Sequence, residues 1–108
     1  MISYEDFKKL EIKIGTIVEA EKIEGSEKLV KLMVDLGEGE PRQVVAGIAV
    51  AYPNVEDLVG KYIPVLANLE PKQLMGLESQ GMILAADNQG SPVLLHPDKE
   101  VSPGSTVK

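Results

Sequence analysis

Alternating apolar and polar residues indicate a strand with one buried face, and the alternation is clearest over residues 29–36. The apolar side of this predicted second strand carries four residues, Val30, Leu32, Val34 and Leu36. The same period of two begins at Leu10 and continues to Val18, with Gly15 as an interruption. That glycine predicts a bulge or sharp bend in a long first strand.

The N-terminal residues have a helix-starting pattern, with Ser3 as a cap and Asp6 three residues later. They predict a short helix ending near Lys9, and this helix either covers one end of a barrel or faces solvent. Downstream, the pattern predicts a third strand over 42–46, helical turns over 53–60 capped by Asn54, a fourth strand over 61–68 in which Pro64 indicates an edge or bulge, and a fifth strand over 82–86.

Turn-forming residues dominate the C-terminal segment. They predict a turn over 87–92, a short returning strand over 93–95, and a final strand pair of 100–101 with 106–108. Three strands, a short helix and two more strands are the element order of an OB-fold barrel. We therefore predict an all-β, five-stranded OB-fold with a short helix between strands three and four, extra terminal elements, and one domain over 1–108.

Composition narrows the function. A net charge of −6 argues against indiscriminate nucleic-acid binding, although it leaves room for a local basic patch. The absence of cysteine excludes disulfides and thiolate metal sites and suits a reducing cytoplasm, which is the expected location. No apolar run approaches the roughly 20 residues of a membrane span, so no membrane partner is expected.

Catalytic chemistry is hard to find in this sequence. The only histidine, His96, precedes a proline in a predicted turn, and Ser79 has no nearby base. The acidic residues lack metal-ligand spacing, and Glu38 and Glu40 have ordinary turn composition. We expect no catalytic residue, no metal and no cofactor.

The segment 68–82 is too long and too apolar for a plain loop between two core strands. Lysines and an arginine on neighbouring predicted strands, together with this segment, form a candidate nucleic-acid site on the face that OB-folds use. The candidate contacts are the cations Lys28, Lys31, Arg42 and Lys72, the polar residues Asn68, Ser79 and Gln80, and the apolar Met82. On charge alone, scattered solubility charges are the favoured alternative, because few aromatic residues are available for stacking.

Specific blocks of residues resemble a known family. They are Leu10-Glu11-Ile12-Lys13-Ile14-Gly15, Arg42-Gln43-Val44-Val45-Ala46-Gly47, Asn68-Leu69-Glu70-Pro71-Lys72 and Ser79-Gln80-Gly81-Met82. Together they resemble the tRNA-binding domain found at the C-terminus of many methionyl-tRNA synthetases, as a free-standing beta subunit, and in tyrosyl-synthetase and cytokine-like relatives.

This resemblance implies structure-directed tRNA binding without catalysis, homodimerisation through the terminal elements, and the eight contacts named above. A methionyl-tRNA synthetase catalytic subunit is a further implied partner. The chain departs from the family at Glu24-Gly25-Ser26-Glu27, at Ala46 and at Met75, where the family has polar or basic groups, so weaker and more salt-sensitive binding is expected. The alternatives are a peptide-binding, chaperone-like module and a module that only dimerises its parent enzyme.

Overall fold

The computed structural model describes residues 1–108, which form one short helix, one 3-10 turn and ten strands. The helix α1 covers Tyr4–Lys8 and the 3-10 turn Val55–Leu58. The strands are β1 (Ile12–Lys22), β2 (Val30–Asp35), β3 (Arg42–Ala46), β4 (Tyr62–Leu66), β5 (Lys72–Leu74), β6 (Leu77–Ser79), β7 (Met82–Ile83), β8 (Ala85–Asn88), β9 (Ser91–Leu94) and β10 (Ser105–Thr106).

Five of these strands make a nearly closed antiparallel barrel in the order β3-β2-β1-β4-β7. The side chains of β2 alternate as predicted, and Val30, Leu32 and Val34 are fully buried against Leu58 and Ile63. Each such burial removes an aliphatic side chain from water and stabilises the fold by about 1.5–3 kcal/mol. The all-β, OB-like prediction is confirmed.

The bulge in β1 lies elsewhere than predicted. The register with β2 shifts between Ile17 and Glu19, so Val18 is the additional residue. The additional residue changes which face of the strand the later residues occupy. Ile17, before it, is buried, and Ala20, three positions later, again packs on the core. Gly15 serves close packing instead, because a β-carbon there would lie 2.7 Å from Leu36 Cδ2.

The 3-10 turn is shorter than the predicted helical segment but performs the same packing role. It buries Val55 and Leu58 in the core. Asn54 precedes it without making a side-chain capping hydrogen bond, so the predicted cap is wrong. The turn is held instead through the backbone, where the Gly60 amide donates to the Ile17 carbonyl at 2.7 Å.

The segment 68–82 contains a small hairpin, β5–β6, that the sequence pattern did not predict. Its two-residue turn has positive φ at both Met75 (51°) and Gly76 (79°), which matches the twist of a tight hairpin. The predicted fifth strand is also divided at Leu84 into β7 and β8, and β8 pairs with β9 as a separate hairpin.

Two further predictions about strands are wrong. β4 is not an edge strand, since it lies between β1 and β7. Pro64 lies on the β7 side of β4, where its carbonyl oxygen accepts a hydrogen bond from the Leu84 amide at 3.0 Å. The β4–β7 ladder pairs only Val65 and Leu66, so no ladder hydrogen bond is required from the Pro64 nitrogen. The final strand pair does not form, because β10 pairs with β1 and residues 100–101 are not a strand.

The helix α1 has the predicted capping box between Ser3 and Asp6. It ends at Lys8, with Lys9 as the C-cap. None of its residues is buried, and Tyr4 is 71% exposed. Within a single copy of the chain it therefore faces solvent and does not cover the barrel.

Candidate nucleic-acid interface

Polar side chains of the segment 68–82 bridge the gap between the two outer strands of the barrel, which we call the seam. The two outer strands, β3 and β7, have no ladder between them. Ser79, which is 5% exposed, spans the gap: its Oγ accepts from the Val45 amide at 3.0 Å and donates to the Gly81 carbonyl at 3.0 Å. The hydroxyl predicted to read RNA has both of its strong hydrogen bonds inside the protein.

Gln80 continues the same seam. Its amide donates to the Gln43 carbonyl at 2.8 Å, and its Oε1 accepts from the Gln43 amide at 3.1 Å. Gly81 allows the chain to approach β4, because a β-carbon there would lie 3.1 Å from the Leu66 carbonyl oxygen. The residues that carry part of the family resemblance thus perform barrel closure.

Arg42 joins three segments at one end of the barrel. Its Nε and Nη2 donate to the two carboxylate oxygens of Glu38 at 2.9 and 2.8 Å. Its Nη1 donates to the carbonyl oxygens of Ala67 and Gln80. The hydrogen bond and charge of Arg42, with the nearby charge of Lys13, lower the pKa of Glu38 below its usual value.

Asn68 connects the start of the segment to the N-terminal residues. Its Oδ1 accepts from the Glu11 amide at 2.9 Å, and its Nδ2 donates to the Lys9 carbonyl at 2.7 Å. The amide group is therefore engaged with the backbone that links α1 to β1. Four of the predicted contacts therefore already make hydrogen bonds within the protein, which their residue types did not indicate. They are Arg42, Asn68, Ser79 and Gln80.

Beside this seam, three adjoining depressions form a groove. The first, of about 210 Å³, and the second, of about 250 Å³, share Val45 and Met82. The second and the third, of about 520 Å³, share Gly47 and Pro92. The floor of the middle section is mainly apolar, and Met82 is 46% exposed on it.

Lysines lie at the two ends of this groove. Lys72 lines the first depression and Lys28 lines the third, and both side chains belong to exposed residues. The predicted cation Lys31 is placed differently, because it pairs with Glu21 at 2.6 Å on the outer face of the sheet. Lys31 lies opposite Val45 in the β2–β3 register, but it lines a separate depression with Glu21 and Val59 and none of the three that form the groove.

Several residues of this site escaped the sequence patterns. Val45, Gly47 and Pro92 line the groove because β3 and the β8–β9 hairpin meet there, and no local signal marks that meeting. The Glu38–Arg42 pair did have a signal, since Gly39 and Pro41, which lie between the two residues, belong to a turn that returns the chain on itself. Glu38 lies in the turn as predicted, and its carboxylate additionally pairs with Arg42.

The remaining candidate reactive groups, the histidine and the acidic residues, lie apart from this groove or from one another. His96 Nδ1 lies 2.7 Å from the Tyr62 carbonyl oxygen, in a depression on another part of the surface. No group of three or more His, Cys, Asp and Glu side chains is placed to hold a metal ion. None of the helical segments has the length and apolar character needed to cross a bilayer.

Comparison with known proteins gives a consistent result. Residues 12–106 match the family model described as "Putative tRNA binding domain". The chain is 56% identical over 106 residues to a methionine–tRNA ligase of Archaeoglobus fulgidus, covering 98% of this chain and 16% of that protein. The chain thus spans about a sixth of the length of the curated relatives it matches.

Solved structures agree in fold as well as in sequence. The crystal structure of a MetRS-related protein from Pyrococcus horikoshii has a TM-score of 0.93 and 39% identity, covering 100% of this chain and 98% of that one. The chaperone CsaA of Bacillus anthracis has a TM-score of 0.88 and 34% identity, covering 100% and 99%. With the family model matched over most of its length, this chain belongs to the tRNA-binding domain family related to methionyl-tRNA synthetase.

Proposed function

We propose that the chain binds tRNA along the groove beside the barrel seam and thereby strengthens the hold of a methionyl-tRNA synthetase on its tRNA, without doing chemistry. The observation that carries the proposal is a groove with an apolar middle section and a lysine at each end, Lys72 and Lys28, in a chain of this family. Phosphates contact the lysines, and unstacked bases or riboses contact the floor.

The predicted contacts then have two kinds of role. Lys28, Lys72 and Met82 contact the RNA directly, and Lys31 does so by exchanging Glu21 for a phosphate. Ser79, Asn68 and Arg42 hold the wall of the groove in position through their internal hydrogen bonds. Gln80 combines both roles, because its Oε1 is engaged with Gln43 while its Nε2 hydrogens have no partner within the chain.

Binding of this kind raises the effective tRNA concentration near a catalytic subunit, as a second tethered contact does. A homodimer would present two grooves to one tRNA. Support for dimerisation comes from exposed apolar residues at the terminal elements, among them Ile2, Tyr4, Leu95 and Val107. We propose that the chain acts as one domain, works in the cytoplasm, and associates with a methionyl-tRNA synthetase catalytic subunit or forms part of one.

The experiment is tRNA affinity measured against salt concentration for the parent, Lys28→Ala and Lys72→Ala. Each groove substitution removes one phosphate contact, so affinity falls and the salt slope decreases by about 0.7–0.9. Lys99→Ala is the matched control, since Lys99 is exposed and lines a different depression with His96. Equal losses for all three lysines, or no tRNA binding by the folded parent at low salt, would contradict the proposal.

Peptide binding is the second candidate. It is favoured by the likeness to the chaperone CsaA and by the apolar middle section of the groove. Competition separates the two: an extended apolar peptide that binds with salt-independent affinity, while tRNA does not bind, would favour this candidate. Under the tRNA proposal, tRNA binds and its affinity falls as salt rises.

A further inference from the structure

The Arg42 guanidinium has backbone partners on one edge and a carboxylate partner on the other. Nη1 donates to two backbone carbonyl oxygens, those of Ala67 and Gln80. The opposite edge, Nε and Nη2, donates side-on to the carboxylate of Glu38 at 2.9 and 2.8 Å. We infer that Glu38 occupies a phosphate-binding site formed by Arg42 at the end of the barrel, and that tRNA displaces it.

This inference rests on the proposed function and adds a site to it. A side-on pair of N–H donors accepts the two oxygens of a phosphate as readily as those of a carboxylate. The site therefore already has phosphate-binding geometry, with an internal anion in place. Glu38 acts as a competitor for one backbone phosphate.

Arg42 stays in position when Glu38 leaves. Four of its five N–H donors are used, and two of these belong to the backbone contacts at Nη1. The carbonyl oxygens it contacts follow β4 and precede β7, and both segments belong to the closed barrel. The guanidinium is thus pre-organised, and binding a phosphate requires no search for its rotamer.

Glu38 is the more exposed member of the pair. It lies in the turn between Gly37 and Gly39, and its side chain is 36% exposed against 25% for Arg42. Ion pairs at such exposure are weak and screened by salt, so an RNA phosphate with other contacts along its chain can replace the carboxylate.

The site extends the groove already described. Arg42 begins β3 and Val45 of the groove floor follows three residues later, a distance of roughly 10 Å along an extended strand. Residues three apart on a strand face opposite sides, so a nucleic-acid backbone that crosses Val45 reaches Arg42 by passing around the end of β3, where the guanidinium contacts the Ala67 and Gln80 carbonyl oxygens. The turn carboxylate would keep this end of the groove neutral until a phosphate arrives.

The test compares Glu38→Gln with Glu40→Gln. Both remove one negative charge from the same turn, but Glu40 makes no ion pair, so it reports the general effect of net charge. Glu38→Gln is expected to tighten tRNA binding at least about threefold more than Glu40→Gln, because the RNA phosphate no longer has to displace a carboxylate from Arg42.

A second measurement protects the test against a change in stability. The Arg42 Nε–H signal in NMR should shift when tRNA is added to the parent, because its partner changes from carboxylate to phosphate. Binding by the parent with equal affinities for Glu38→Gln and Glu40→Gln, or an unmoved Arg42 signal at saturation, would overturn this inference alone. Absence of tRNA binding in the parent and in Glu38→Gln would overturn the proposed function and the inference together.

Discussion

The Ser79 hydroxyl accepts a hydrogen bond from the backbone amide of Val45, a residue 34 positions earlier in the chain, at 3.0 Å. This bond joins the segment 68–82 to the outer edge of β3, where no strand ladder closes the barrel. A single side chain therefore satisfies a buried backbone donor and positions one wall of the groove.

Replacing Ser79 tests this closure. Ser79→Ala leaves the buried Val45 amide without its acceptor, so the free energy of unfolding should fall by about 1–3 kcal/mol. Ser91→Ala, at an exposed serine of β9 with no side-chain hydrogen bond, should change it by less than about 0.5 kcal/mol. Urea unfolding measures both. A Ser79→Ala value as small as the control would show that the seam does not depend on this hydroxyl.

Replacing Gly15 tests the close packing of β1 on β2, and Gly47 provides the matched control. Gly15→Ala would place a methyl group 2.7 Å from Leu36 Cδ2, and overpacking of this kind destabilises by about 1–3 kcal/mol. Gly47→Ala meets nothing within 4 Å and should leave thermal stability nearly unchanged. Thermal unfolding of the two variants decides the point, and similar midpoints would contradict the close packing of Gly15 on β2.

Asn68 and Asn54 test which asparagine is structural. Asn68→Ala removes two backbone hydrogen bonds, to Glu11 and Lys9, and should lower the free energy of unfolding by about 1–2 kcal/mol. The Glu11 amide should also exchange faster with solvent. Asn54→Ala removes no capping bond and should be nearly neutral. An unchanged Glu11 exchange rate in Asn68→Ala would argue against the contact.

The Glu38–Arg42 pair predicts a pH effect on stability. Because Arg42 lowers the pKa of Glu38 below 4.5 in the folded chain, the stabilisation is complete above about pH 4.5 and is lost as pH falls through the folded value. The parent should therefore lose more stability than Glu38→Gln between pH 6 and pH 3, by roughly 1 kcal/mol or less for so exposed a pair. Unfolding midpoints at each pH measure the difference. Glu40→Gln should follow the parent, and parallel profiles for Glu38→Gln and the parent would contradict the pair.

Local patterns predicted the strands well where neighbours in sequence decide the structure. The alternation of β2, the bounds of β3 and the Ser3 capping box all depend on residues within a few positions of one another. The bulge at Val18 and the split at Leu84 could not be read in this way, because each one fits a strand to partners elsewhere in the barrel.

The amino-acid sequence by itself determined the aliphatic core, the order of the barrel strands and the residue types along the groove. Tertiary structure alone decided which of those residues are free to bind. Arg42, Asn68 and Ser79 find backbone partners 25, 57 and 34 positions away. The physical reason is that a guanidinium, an amide or a hydroxyl is satisfied equally by RNA, water or backbone. Only the closed barrel brings the backbone groups of distant segments within hydrogen-bonding distance.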